Sequence, residues 1–164
     1  MRNNGYVYDT VTKSMIENIW TQLNKEIPSY FKTIISDFQL RVIEITEIET
    51  ALVSDKYAII ISIDRFAAEI SYIRRNDSNK LKKYNCSSFF AEKYSQDERN
   101  NLLEVIEAKE IIINDLMIIS KGLLSKWRCV LEGNMDWIED YKKSSWALES
   151  DLRDFELEKL KQYI

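Results

Sequence analysis

The side chains that could do chemistry here are carboxylates and lysines, because the 164-residue chain contains no histidine. That absence removes Ser-His and Cys-His nucleophilic pairs, imidazole acid–base catalysis and the commonest metal ligand together. Asp64 and Glu69 stand close in sequence, and a carboxylate pair can act as general acid and base or hold a cation. Such work needs a pocket that shifts a pKa or a convergent ligand set. Neither is written into the spacing, and both residues read as turn and strand-edge carboxylates. Di-iron helical sites use Glu-x-x-His, which this chain cannot supply. Neither GxGxxG nor GxxxxGK[ST] occurs, so no phosphate-cradling loop is expected. Cys86 and Cys129 lack CxxC spacing and read as reduced structural thiols. The expectation is a protein that is not an enzyme, with no catalytic residues, no metal and no cofactor.

The elements that would position these groups follow from hydrophobic period. From Tyr57 to Arg75 the isoleucines alternate, pause at Asp64-Arg65-Phe66-Ala67 and resume at Ile70 and Tyr72, the pattern of a β-hairpin of two half-buried strands. Phe38 to Val53 alternates with a slip at Val42–Ile43, which predicts one further strand carrying a bulge there. Together these give an α+β fold in which a three-stranded antiparallel sheet, about 40–75, packs one apolar face on helices. A 3.6-residue stripe predicts a helix over 9–37, broken or kinked near Glu26–Ile27 by Pro28. Ser87-Ser88-Phe89-Phe90 opens a short helix. Ser95-Gln96-Asp97-Glu98 has the form of a capping box, starting a long helix that runs toward Leu131 and that Gly122 loosens. Gly133 suits its stop and Asn134 the next N-cap, with Trp137, Ile138 and Tyr141 facing inward, and a final helix is expected over Ser145–Tyr163.

A chain of this length with 45% hydrophobic residues, three glycines and one proline fits a single domain spanning 1–164 with its own core. Met1 to Gly5 lacks the apolar core of a signal peptide, and no apolar window reaches membrane-spanning length, so a cytoplasmic location without membrane contact is expected. The charge is uneven. Residues 132–164 carry five basic and nine acidic side chains, the whole of the net −4. Arg74, Arg75, Lys80, Lys82 and Lys83 form a basic run that reads as a solvated loop, with an anion-binding patch as the sharper alternative. An acidic chain is a poor partner for nucleic acid, whose phosphates call for a basic face. Trp20, Trp127 and Trp137 read as core. Trp146, beside Ser144-Ser145 at the acidic end, is the best candidate for an exposed interface anchor.

Two segments carry a resemblance. The hairpin, with Asp64-Arg65-Phe66 and Ile70-Ser71-Tyr72-Ile73, and the later run Val130-Leu131-Glu132-Gly133-Asn134-Met135-Asp136-Trp137-Ile138-Glu139-Asp140-Tyr141 are similar to bacterial immunity proteins of polymorphic toxin systems, notably contact-dependent growth inhibition. In that family the second segment often reads leucine, any residue, Gly-Asp, then an aromatic and a tyrosine. Asn134 stands here where Asp is usual, and both residues cap helices. The resemblance implies a stoichiometric inhibitor that binds one cognate toxin domain, a basic one such as a nuclease, and blocks it without chemistry of its own. An acidic surface would steer such a partner. The candidate contact residues are Asp136, Glu139, Asp140, Trp146, Glu149, Asp151 and Asp154, of which Asp136, Glu139 and Asp140 share one helix face. Two other classes remain open: a non-enzymatic adaptor or homo-oligomer using the long helix, and a histidine-free enzyme using carboxylates and lysine.

Overall fold

Strand β3 (Tyr57–Asp64) is buried from Tyr57 through Ile61 without a break, so over that length it is covered on both faces. In the computed structural model, which describes residues 5–95 and 107–164, with side chains from Asn18 onward in the first of these stretches, β3 is an inner strand of a six-stranded antiparallel sheet in chain order. Its neighbours are β1 (Arg41–Thr46), β2 (Glu49–Val53), β4 (Ala67–Arg75), β5 (Leu81–Asn85) and β6 (Glu149–Asp151). The hairpin is present as the alternation predicts, with Tyr57 opposite Arg74 and Asp64 opposite Ala67.

The three-stranded sheet expected from sequence is therefore wrong in number, for three physical reasons. The 38–53 segment, expected as one strand bulged at Val42–Ile43, is two strands: the chain reverses at 47–48, where Thr46 Oγ1 accepts the Ile48 N–H at 3.3 Å, and β1 and β2 pair across the turn with the register shift between Glu44 and Thr46. The basic run 74–83 is a second hairpin. Asn76 Oδ1 accepts the N–H groups of Ser78 and Lys80, Asn79 takes the left-handed φ of 60°, and Leu81 and Tyr84 are buried in β5 on either side of Lys82 and Lys83. The helix expected over Ser145–Tyr163 begins instead as β6. There Lys82 stands opposite Asp151 and bonds it at 2.8 Å, a cross-strand charge pair that holds a fully exposed edge strand.

One face of the sheet carries the main core. Tyr57, Ile59, Ile61, Ile63, Ile70 and Tyr72 pack against helix α1 (Gly5–Tyr30), its continuation α2 (Lys32–Asp37), α3 (Ser87–Ala91), α4 (Ala108–Leu124), α5 (Arg128–Leu131) and α6 (Trp137–Lys143). Pro28 sits inside α1, and the break falls later, at Phe31. The fully buried stripe Leu23, Ile27, Phe31 and Ile34 keeps the chain on the sheet through the missing N–H. The long helix ends at Leu124, short of the expected Leu131, where Ser125 Oγ donates to the Lys121 carbonyl. The proposed capping box lies, beyond Ser95, outside the described residues. Gly133 does stop α5. Its φ is +75°, its N–H reaches the Val130 carbonyl, and the Asn134 N–H reaches that of Cys129, the two bonds of a Schellman motif.

The other face is covered only in part. Ala51, Val53, Ala58, Ile60, Ile73 and Leu81 lie under Leu160 of α7 (Asp154–Leu160), with Leu152, Tyr163 and Ile164 beside it. Lys159 of α7 donates to the Glu44 and Ile45 carbonyls at 2.8 Å and so blunts the β1 edge. Between the layers Tyr57 donates from its hydroxyl to the Leu131 carbonyl at 2.5 Å, joining β3 to the end of α5. Tyr57→Phe would leave that buried carbonyl unpartnered, and a loss of about 1–2 kcal/mol in urea unfolding is expected.

Candidate functional site

Register fixes which side chains share the partly covered face. Opposite pairing of Ser62 with Glu49 and Glu69, of Ser71 with Asn85 and of Ile73 with Lys83 places Glu49, Ser62, Glu69, Ser71, Lys83 and Asn85 together, next to the apolar half under α7. The outer face is thus split into an apolar half covered by α7 and a polar half that is open. A cleft of about 380 Å³ lies over the polar half, lined also by Ile48, Asp64, Leu148 and Ser150. A second hollow of about 630 Å³ shares Ile48 and Glu49 with it and is lined further by Trp20, Thr21, Glu47 and Arg153.

The wall between the two halves is ionic. Glu156 is fully buried and accepts from Lys83 Nζ at 2.7 Å, from Arg153 Nη2 at 2.5 Å and from the Arg153 backbone N–H at 2.8 Å. Arg153 Nη2 also reaches Glu49 Oε1 at 2.6 Å, whose carboxylate further accepts from Ser62 Oγ and Thr46 Oγ1. Burial by itself pushes the Glu156 pKa up, but the hydrogen bonds from Arg153 and Lys83 outweigh it and hold the carboxyl below the usual glutamate range. Asp115 behaves oppositely: burial raises its pKa, against the lowering effect of the Ala68 N–H that it accepts at 3.0 Å.

Asp64 and Glu69, the carboxylates singled out by sequence, line this cleft together and are both exposed. Asp64 Oδ1 accepts the Arg65 N–H at 2.6 Å. Above the cleft stands Leu148, 61% exposed. Its backbone is clamped: the Leu148 N–H donates to the Tyr141 hydroxyl at 2.7 Å, that hydroxyl donates back to the Leu148 carbonyl at 2.9 Å, and the Asn85 N–H donates to the same carbonyl at 3.1 Å. Phe66, 67% exposed at the β3–β4 turn, follows Asp64 by two residues.

The residues proposed from the acidic C-terminal region fall into separate places. Asp136, Glu139 and Asp140 are exposed at the start of α6. Asp136 exchanges hydrogen bonds with the Asn134 side chain, and Glu139 stands 3.9 Å from Lys142. Glu149 and Asp151 of β6 stand on either side of Lys82 of β5; the hydrogen bond that Lys82 donates to Asp151 lowers the Asp151 pKa and raises that of Lys82. Asp154 is exposed at the first turn of α7. Trp146 is 44% exposed and donates from Nε1 to the Glu92 carboxylate, while Trp127 and Trp137 are buried in the aromatic cluster with Phe89 and Phe90.

Sequence reasoning missed Glu49, Ser62, Ser71, Lys83, Leu148, Arg153 and Glu156 as neighbours. Each strand residue among them sits at an alternate position of its strand, so the signal was present but needed all six strands and their register. Among the described residues no helix is long and apolar enough to cross a membrane. Comparison with known protein families, with curated proteins and with solved structures gives no match to this chain, and its function has to be argued from these side chains.

Proposed function

We propose that the protein is a stoichiometric inhibitor of the immunity type, which binds one basic toxin domain in the cytoplasm and blocks it without turnover. The observation that carries this reading is Leu148: a large apolar side chain held out to solvent on a backbone fixed by three hydrogen bonds, beside a cleft with carboxylates on its rim. A backbone held in this way loses little freedom on association, and the exposed apolar side chain it carries gains by burial against a partner. Exposed acidic groups at the start of α6 add long-range attraction for a basic partner.

The test is co-expression with the product of the gene immediately upstream, followed by light scattering of the purified material and association kinetics at low and high salt. A one-to-one complex is expected, with inhibition of the partner's toxicity. Its association rate should fall at least about tenfold from low to high ionic strength. The triple variant Asp136→Lys, Glu139→Lys, Asp140→Lys should slow association and flatten its salt dependence. A neighbouring product that neither co-purifies nor is inhibited would overturn the proposal.

A further inference from the structure

We infer that the cleft on the open half of the sheet is a receptor for one arginine or lysine side chain donated by a protein partner. The inference deepens the proposed function, on which its biological meaning rests, by naming the group that the partner must insert.

The charge balance comes first. Around the cleft stand the carboxylates of Glu49, Glu156, Asp64 and Glu69, against the cations Lys83 and Arg153. Both cations are already bonded to Glu156, and Arg153 to Glu49 as well. Asp64 and Glu69 are left over, since Arg65, the next residue in the turn, is exposed and forms no ion pair among the described residues.

The second observation is independent of charge. Ser71, on the same floor, is only 7% exposed, yet its hydroxyl has no hydrogen-bond partner among the described residues. The hydroxyl is not sealed from solvent but opens on the cleft, where water or an entering donor satisfies it. A guanidinium or ammonium fits all three groups. Its N–H donors would meet the Asp64 and Glu69 carboxylates and the Ser71 oxygen, while its aliphatic stem would lie along Leu148. A metal ion is a poorer fit, because among the described residues no three acidic or sulfur side chains converge as a cation needs.

The experiment is an NMR titration of the isotopically labelled full chain with the peptide acetyl-Gly-Arg-Gly-amide, and with acetyl-Gly-Gln-Gly-amide as control. Saturable shifts are expected in the 62–71 and 148–150 amides with the arginine peptide only, and their loss in the double variant Asp64→Asn, Glu69→Gln. Both substituted residues are exposed, so this variant should give an otherwise unchanged spectrum. Shifts centred on 134–143, equal shifts in the double variant, or no saturable response would each overturn the inference. With the upstream gene product as ligand, the double variant should bind at least about tenfold more weakly, roughly the 1.4 kcal/mol of one anchoring pair. An unaltered affinity there would remove the cleft as receptor and leave the proposed function standing. No complex at all would remove the proposed function, and the peptide titration would still decide the cleft.

Discussion

Glu156→Ala is expected to cost about 3 kcal/mol of folding stability or more, which is large for a charged residue. The side chain is fully buried and receives both Lys83 and Arg153. Its removal leaves two cations facing each other across an empty acceptor site, with Arg153 still held by Glu49. Arg153 keeps 47% of its side-chain exposure, so water relieves part of the penalty, which places the expected loss at the low end of about 3–5 kcal/mol for a broken buried pair. Glu156→Gln keeps an acceptor for the Arg153 N–H and should lose less. The pH dependence has a definite sign. Because the folded pKa of Glu156 lies below its usual 4.5, its contribution is complete above that value and is lost as the pH falls through the lower folded value. Asp115 contributes the opposite slope: its raised pKa makes the ionised form a penalty, relieved on acidification through that raised value. Urea unfolding of wild type and Glu156→Ala from neutral to acid pH checks both points. The variant should be less stable at neutral pH and should lack the steep acid limb. A difference under about 1 kcal/mol at neutral pH would show that the network adds no more than a surface ion pair.

The β3–β4 hairpin was legible because both halves of its signal are local: a two-residue reversal and isoleucines in step on either side. The stop at Gly133 was legible for the same reason, since one residue with φ of +75° carries it. The reversal between β1 and β2 was not, because Glu47 and Ile48 include none of the glycine, asparagine or proline that usually marks a turn. Strand β6 was hidden more deeply. Its residues are all exposed, and what makes Glu149-Ser150-Asp151 a strand is the presence of Lys82 across from it, far away in sequence. The site fared likewise. The acidic excess of 132–164 could be counted in the sequence, but not that the basic run 74–83 folds beside it, so that Lys82 and Lys83 occupy Glu149, Asp151 and Glu156. The charges still free of ion pairs in the cleft are Asp64 and Glu69, whose spacing alone marks them only as turn and strand-edge carboxylates.

Gly122 shows the same difference between local and tertiary information and yields a prediction with a change of sign. From sequence it reads as a weak point in a helix, so Gly122→Ala should add about 1 kcal/mol through helix propensity. In the structure α4 passes under Tyr94 at this residue, and a Cβ on Gly122 would meet ring carbons of Tyr94 at 2.6 and 2.8 Å, inside van der Waals contact. Tyr94 is itself 8% exposed and part of the main core, so its ring cannot swing into solvent without opening a cavity. Overpacking of this kind costs about 1–3 kcal/mol and should outweigh the propensity gain. Gly122→Ala is therefore expected to destabilise, by about 2 kcal/mol if the ring is rigid. The decisive measurement is a double-mutant cycle. In a Tyr94→Ala background the obstruction is gone, and Gly122→Ala should now stabilise, leaving a coupling of about 2–3 kcal/mol between the two sites. A stabilising Gly122→Ala in the wild-type background, or additivity of the two substitutions, would mean that the ring yields and that the glycine is only the helix defect its sequence suggests.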